Sequence, residues 1–366
     1  MSEVMAVPKL RFKEFDGDWS QSRIGEIFQV TSGSTPLRSD NRFFENADIA
    51  WVKTTDLNNG LIEKTEEKIS QIALKETSVK ILPKGTVFVA MYGGFNQIGR
   101  TGLLVDEAAC NQALSAIYPN EKIESYFLLT FLNHKVDDWK NFAASSRKDP
   151  NITKSDVLAF PLTYPVKEEQ TKIASFLSTV DEKISQLTQK HALLSQYKQG
   201  MMQKLFSQQV RFKADDKSEF EEWEEKELKD IAEINPKSKK LPESFIYIDL
   251  ESVEKGQLLL QKNIELQDAP SRAQRLLAKG DVLFQMVRPY QQNNYYFNLS
   301  GEYVASTGYA QIRTKLDSKF IYYALHEKTF LDEVMNRCTG TSYPAINSSD
   351  LSSIEILIPC LEEQTK

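Results

Sequence analysis

Two segments of the 366-residue chain concentrate side chains able to recognise a planar, polar ligand. The first is Tyr92-Gly93-Gly94-Phe95-Asn96-Gln97-Ile98-Gly99-Arg100, and the second is Arg288-Pro289-Tyr290-Gln291-Gln292-Asn293-Asn294. An Arg guanidinium can bond guanine at two points, and an Asn or Gln amide can do the same with adenine. Tyr92, Asn96, Gln97, Arg100, Arg288, Tyr290, Gln291, Gln292 and Asn293 are therefore candidate contacts to base edges in a DNA major groove. A second pair of segments carries hydroxyls and cations suited to phosphates as well as bases. In Ser145-Ser146-Arg147-Lys148-Asp149-Pro150-Asn151 the candidates are Arg147 and Lys148. In Thr339-Gly340-Thr341-Ser342-Tyr343-Pro344 they are Thr339, Thr341, Ser342 and Tyr343. Each stretch alone also has the composition of a plain surface turn, so the argument rests on the pairs as a set. Lys237-Ser238-Lys239-Lys240 is open to the same two readings.

Residues for bond-making chemistry do not assemble. Gly93, Gly94 and Gly99 have the wrong spacing for a phosphate loop or a dinucleotide fingerprint. No Asn-Pro-Pro-Tyr-like segment of an adenine methyltransferase occurs. His134, His191 and His326 are scattered and lack zinc-ligand company, so no metal site and no catalytic residue are expected. The carboxylate-x-Lys fragments at Glu66 to Lys68 and Glu224 to Lys226 read as solvated turns rather than nuclease centres. Cys110, Cys338 and Cys360 are too few and too far apart for a disulfide framework, which fits a reducing cytoplasm. No apolar run reaches the roughly 18–20 residues of a membrane helix, and the opening MSEVMAVPKLRFKEF lacks an apolar signal core. The expected location is cytoplasmic, with no membrane partner. With 45 Lys and Arg against 51 Asp and Glu, the net charge of -6 excludes a simple basic DNA-coating protein. It leaves room for basic side chains gathered on one face.

The frame that must position these segments occurs twice, with a period of roughly 195–200 residues, far above solenoid periods. Leu10-Arg11-Phe12-Lys13, Trp19, Ile24 and Ile27 match Val210-Arg211-Phe212-Lys213, Trp223, Leu228 and Ile231. Thr55-Asp56-Leu57 is set against Ile248-Asp249-Leu250, and Leu82 to Met91 against Leu277 to Met286. The segments from Cys110 and from Ala305 match, as do those from Tyr126 and from Lys319, and Pro165 to Lys172 matches Pro359 to Lys366. Shared positions are mostly apolar or glycine, so the copies share a fold, while the polar segments between them differ. Val87-Phe88-Val89-Ala90 after a Lys-Gly turn predicts a buried strand. Tyr126 to Asn133 predicts a helix, and Phe160 to Pro165 and Ile354 to Pro359 read as proline-closed exits. Trp19, Trp51, Trp223, Phe12 and Phe212 read as frame residues rather than base-stacking platforms.

Between the copies, Glu168 to about Phe206 holds no proline and one glycine, Gly200. Ile173, Leu177, Val180, Ile184, Leu187, Leu194, Met201 and Leu205 follow alternating steps of four and three, with His191 and Lys198 at two seam positions. That is a heptad seam. About 39 helical residues at 1.5 Å each make a rod of roughly 58 Å. Such a stripe wants a partner. It is either a coiled-coil spacer between the repeats or an amphipathic helix packed on its own domain. Lys198 either helps fix register or marks an exposed end of the seam.

At this point the chain resembles the specificity subunit of type I restriction–modification enzymes. The resemblance is carried by Ile49-Ala50-Trp51-Val52 leading to Asp56-Leu57, by both Lys-Gly strand segments, and by Ala113 to Tyr118. The PxxEEQTKI exit into the helix and Val287-Arg288-Pro289-Tyr290 complete it, and it spans nearly the whole chain. It implies an α+β architecture of two similar mixed α/β target-recognition domains joined by a long coiled-coil helix. The expected boundaries are 1–165 and 208–359 for the domains, 166–207 for the helix, and 360–366 for the start of a second helix. In the family that second helix pairs antiparallel with the first. Here the second copy stops at Lys366, the counterpart of Lys172, so the expectation is a second helix that is missing or truncated: either the chain is cut short or the partner helix comes from another polypeptide. The resemblance further implies double-stranded DNA as ligand and two methyltransferase subunits plus restriction subunits as partners. S-adenosylmethionine, Mg and ATP are expected on those partners, and no cofactor on this non-catalytic chain. Each domain is expected to read one half of an asymmetric bipartite target, with the coil docking the methyltransferases. The alternatives are a coiled-coil scaffold that binds proteins without reading DNA, and an enzyme in its own right.

Overall fold

In a computed structural model of the chain, residues 8–94, 96–143, 151–237 and 240–366 are described. They fall into two compact units, Met1–Gln189 and Lys190–Lys366.

The first unit contains strands β1 (Ser20–Arg23), β2 (Val30–Ser32), β3 (Ile49–Val52), β4 (Gly60–Ile62), β5 (Glu67–Ile69), β6 (Val87–Ala90), β7 (Thr101–Leu104), β8 (Ala109–Cys110), β9 (Leu114–Ile117) and β10 (Pro161–Tyr164). Its helices are α1 (Ile24–Ile27), α2 (Gln71–Glu76), α3 (Ser125–His134), α4 (Val136–Ala143), α5 (Lys154–Ala159) and the start of α6 (Lys167–Phe206). One sheet has the order β2-β9-β6-β7-β4, a second β5-β3-β8, and β1 pairs with β10. The run Val87 to Ala90 is apolar throughout because both of its faces are covered. Val87 and Val89 join a cluster with Ile117, Phe127 and Trp139, while Phe88 and Ala90 face Val52, Leu104 and Leu114.

The second unit repeats this plan with β11 (Glu224–Glu227), β12 (Ala232–Ile234), β13 (Ser244–Ile248), β14 (Val253–Glu254), β15 (Gln257–Leu258), β16 (Lys262–Glu265), β17 (Ala273–Leu276), β18 (Val282–Gln285), β19 (Tyr295–Tyr296), β20 (Tyr303–Ser306), β21 (Tyr309–Thr314) and β22 (Glu355–Ile358). Its helices are α7 (Leu228–Ile231), α8 (Ser318–Ala324), α9 (Lys328–Arg337), α10 (Ser348–Ser352) and α11 (Leu361–Gln364). Its main sheets are β12-β21-β18-β19 and β16-β13-β20-β17.

Strand registers show how close the repetition is. Val87 lies opposite Ile117, and Val282 opposite Ile312. Ser20 faces Tyr164, and Glu224 faces Ile358. β3 runs parallel to β8 with Val52 beside Cys110, and β13 runs parallel to β20 with Ile248 beside Ala305.

That last register corrects one expected match. If Val52 and Ile248 correspond, Asp56-Leu57 corresponds to Ser252-Val253, not to Asp249-Leu250. Asp56 Oδ2 accepts the Lys53 N–H at 2.7 Å, and Ser252 Oγ accepts the Asp249 N–H at 3.1 Å. Leu57 and Val253 are both buried behind these turns. The pairs Asn59-Gly60 and Lys255-Gly256 then follow, with Asn59 and Lys255 both at positive φ. A hydroxyl replaces a carboxylate as the acceptor that closes the turn, so the shared Asp-Leu letters lie out of step.

The exit motif owes its identical polar residues to burial. Arg11 Nε and Nη2 donate to Glu169 at 2.8 and 2.6 Å, and Arg211 donates to Glu363 at 3.2 and 2.7 Å. Gln170 Oε1 accepts from Glu124 N at 2.9 Å, and Gln364 Oε1 from Asp317 N at 3.1 Å. Glu124 and Asp317 are themselves the N-caps of α3 and α8. Glu169, Gln170 and Glu363 are buried, so each needs these partners. Lys172 pairs with Glu14, and Lys366 with Asp215.

α6 spans 40 residues. Ala174 is buried against the first unit's core, with Ile173 packed beside it. Near its other end Phe206 packs on Trp223 and Phe320. Between these ends Val180, Ile184, Leu187 and Leu194 are 40–56% exposed. Lys198 places its ammonium 5.0 Å from the centre of the Tyr323 ring. The stripe is therefore not packed along its own unit, and its middle is open. No described helix is long and apolar enough to cross a membrane.

Candidate nucleic-acid interface

In the first unit β6 enters a turn at Met91 and returns as β7 at Thr101. Gly93 and Gly94 adopt φ values of 118° and 80°, which side chains rarely tolerate. Gly99, at φ 76°, lies under Trp139, whose Cδ1 would sit 2.8 Å from an added Cβ. Ile98 is 1% exposed and plugs the base of the loop into the core. Gly99 N donates to Ala90 O at 3.1 Å, and Ala90 N to Arg100 O at 2.8 Å, which closes the base. Tyr92 and Asn96 are left exposed, with Gln97 and Arg100 partly so. Gln97 Oε1 is buried without a hydrogen-bond partner among the described residues.

After the second segment the chain is bonded to the same strand end, where Ile152 N donates to Met91 O at 3.0 Å. Arg147 and Lys148 themselves lie outside the described residues, as does Phe95.

In the second unit the corresponding segments meet directly. Arg288 N donates to Pro344 O at 2.7 Å, and the Arg288 guanidinium lies 4.2 Å from the Tyr343 ring centre. Ile346 N donates to Met286 O at 3.1 Å, the counterpart of the Ile152 contact. Thr339 and Ala345 exchange two backbone hydrogen bonds of 2.9 Å, making the second segment a closed hairpin. Thr339, Thr341, Ser342 and Tyr343 are exposed on it. Tyr290 is 52% exposed at the tip of the first segment. Gln292 is partly exposed and takes a left-handed φ of 51°.

Two of the amides are already engaged inside the protein. Gln291 Oε1 accepts from Gln285 Nε2 at 2.9 Å, and Asn293 Oδ1 accepts the Lys255 N–H at 3.1 Å. Each keeps its NH2 group for another acceptor.

Sequence reasoning missed a third loop at the same sheet end. β2 and β6 both run antiparallel to β9, so the chain after Ser32 emerges beside the chain after Ala90. A polar cavity of about 290 Å³ lies there, lined by Thr31, Ser32, Ser34, Ser78 and Lys80. After β12, the equivalent place holds exposed Lys237 and Lys240, while Ser238 and Lys239 lie outside the described residues. The hydroxyl cluster at Thr31 to Thr35 was the available signal.

The carboxylate-x-Lys fragments are ion-paired frame residues. Lys53 reaches Glu66 at 3.1 Å and Glu67 at 2.9 Å. The Lys53 ammonium holds Glu66 below the usual carboxylate range, and Arg38 with Lys53 does so for Glu67. Lys226 pairs with Glu224 at 2.5 Å on exposed β11. No group of three or more His, Cys, Asp and Glu among the described residues is placed to hold a metal ion.

Each unit thus presents its own set of polar loops at one end of its sheet. The chain belongs to the type I restriction modification DNA specificity domain family, the non-catalytic specificity subunits of type I restriction enzymes, whose model matches residues 16–196 and 220–366. It is 26% identical to the type I restriction enzyme MjaIX specificity subunit of Methanocaldococcus jannaschii, over 95% of this chain and 86% of that one. It is 23% identical to the EcoDI specificity subunit of Escherichia coli, over 95% of this chain and 79% of the relative. Among solved structures, the type I restriction–modification S subunit from M. genitalium superimposes with a TM-score of 0.61 at 16% identity, covering 94% of this chain and 86% of that one. A chain from a study of type I system assembly and conformational transition gives a TM-score of 0.50 at 20% identity, over 95% and 87% of the two chains. These likenesses support the same two-unit fold.

Proposed function

We propose that each unit reads one half of an asymmetric, bipartite DNA target in a type I restriction–modification complex. The observation that carries this reading is a repeated frame with unrepeated loops. Val87 and Val282 keep corresponding register partners, yet counted from the matched Met91 and Met286 the polar residues of Tyr92 to Arg100 and Arg288 to Asn293 coincide in identity only at Gln97 and Gln292. In the first unit the readers are Tyr92, Asn96, Gln97 and Arg100, together with Arg147 and Lys148. In the second they are Arg288, Tyr290, Gln291, Gln292 and Asn293, with Thr339, Thr341, Ser342 and Tyr343. Correct base contacts contribute roughly 1–3 kcal/mol each, so neither half alone gives much specificity.

α6 acts as the spacer, and half-sites read on one face of DNA lie about 34–36 Å apart or at multiples of that turn. Its uncovered seam docks two methyltransferase subunits, to which restriction subunits add. S-adenosylmethionine, Mg and ATP act on those partners, which work on DNA in the cytoplasm and flip the adenine to be methylated out of the stack.

Replacing residues 1–165 by the corresponding domain of another specificity subunit is expected to change one half of the methylated motif and leave the other intact. Sequencing of methylated genomic DNA reads this directly. A motif altered in both halves, or methylation free of any bipartite motif, would reject the modular reading in favour of a scaffold that reads no DNA.

A further inference from the structure

Beneath the second unit's first loop lies a row of polar side chains with a single direction. Gln285, the last residue of β18, is 2% exposed. Its Nε2 donates to Val287 O at 2.8 Å and to Gln291 Oε1 at 2.9 Å, and its Oε1 accepts from Asn293 N at 3.1 Å. One side chain thus ties both ends of the loop together. The Gln285 backbone N–H donates to Asn294 Oδ1 at 2.8 Å, which places the Asn294 oxygen toward β18 and its NH2 away from it. Asn294 is 1% exposed, and its Nδ2 lies 3.3 Å from His326 Nε2. His326 Nδ1 lies 2.7 Å from Tyr322 O. A carbonyl only accepts, so the ring proton sits on Nδ1 and Nε2 is left as an acceptor for the Asn294 amide. The donors therefore run from Gln285 N–H to Asn294, from Asn294 to His326, and from His326 to Tyr322.

We propose that His326 is a positioning residue for half-site reading, holding Asn294, and through Gln285 the loop Arg288 to Asn293, in the shape that meets the bases. The proposal rests on the DNA-reading role set out above. It applies to the second unit only, because Ala90 stands in the first unit where Gln285 stands here. A protonated His326 would turn Nε2 into a donor facing the donor NH2 of Asn294, and the row would break at that point.

The groups facing the ring are the Tyr322 ring at 4.6 Å, the Tyr322 and Gln292 backbones, and Lys198 of α6. Burial, and then the like charge of Lys198, push the His326 pKa below its ordinary value, against the opposing pull of the Tyr322 and Gln292 backbones. With the folded value depressed, the unfolded chain takes up the proton first as pH falls below about 6.5. The loop order is thus fully present above that pH and is lost as pH falls through the folded value.

The test uses the full chain with its methyltransferase partner, assayed on duplexes carrying the motif that the wild-type complex methylates, or single base changes in either half. His326→Phe is expected to lower discrimination about tenfold in one half, the size of one lost base contact, and to leave the other half strict. His326→Gln, whose amide oxygen can take the place of Nε2, is expected to restore it. The wild type is expected to keep discrimination at about pH 6.5 and to lose it in that same half only as pH falls further, through the depressed folded-state value of His326, where His326→Gln keeps it. If His326→Phe leaves both halves strict, or relaxes both equally, His326 has no positioning role. If the wild-type complex methylates no bipartite motif, the DNA-reading role fails and this proposal falls with it.

Discussion

Between Ala90 and Thr101 the first unit turns its chain on Gly93, Gly94 and Gly99 and hangs the loop on the buried side chain of Ile98. Between Gln285 and Tyr295 the second unit has no glycine at all. It uses left-handed Arg288 and Gln292 and a buried amide that bonds to three points of the loop. The strands on either side keep the same register in both units. A frame that sets where a loop leaves and returns does not dictate how the loop is shaped. The first solution relies on apolar packing and free backbone torsions. The second relies on polar groups whose burial is tolerable only while every bond is made. Unlike devices on a common frame are what two readers of unlike sequences require.

This contrast can be broken from either side. Ile98→Ala removes the apolar plug and is expected to destabilise the first unit by about 2–5 kcal/mol. Urea unfolding of the full chain should show the loss in that unit's transition only. A shift of both transitions would mean that the units unfold as one. Gln285→Ala gives the second unit the residue found at Ala90 and strands the Asn293 N–H, the Val287 carbonyl and Gln291 Oε1 without the side chain that bonds them. The expected cost is about 1–3 kcal/mol in the second unit, with discrimination lost in one half-site. An unchanged loop, seen as unchanged hydrogen exchange at Gln291 to Asn294, would show that the amide is dispensable. The smallest expected effect on folding comes from the double change Ile184→Glu and Leu187→Glu on the open seam. Stability should move by no more than about 0.5 kcal/mol, while co-purification with the methyltransferase is lost. A large drop in stability would show that the seam is covered within the chain itself.

The elements were legible because their signals are local. A continuous apolar run marked β6 and β18, and steps of four and three marked α6. The exit motif was legible as a repeat, although only the Arg11–Glu169 and Arg211–Glu363 pairs explain why its carboxylates recur. The Asp-Leu match failed because identical letters outweighed a turn that Ser252 closes with a hydroxyl. Of the recognition segments, the sequence marked out the loops themselves. It could not show that Gln291 and Asn293 bond inward, since their partners come from β18 and from the turn at Lys255.

From the sequence alone came the duplication, the buried strand after each Lys-Gly turn, the helix from Tyr126, the long seam, and the unlike polar loops. All of these are carried by residue type and spacing within short windows. Only the tertiary structure brought Gln285, Asn294 and His326 into one row and set Arg288 against Tyr343. A polar side chain's partner depends on which distant segment the fold brings within about 3 Å of it, and no local pattern records that.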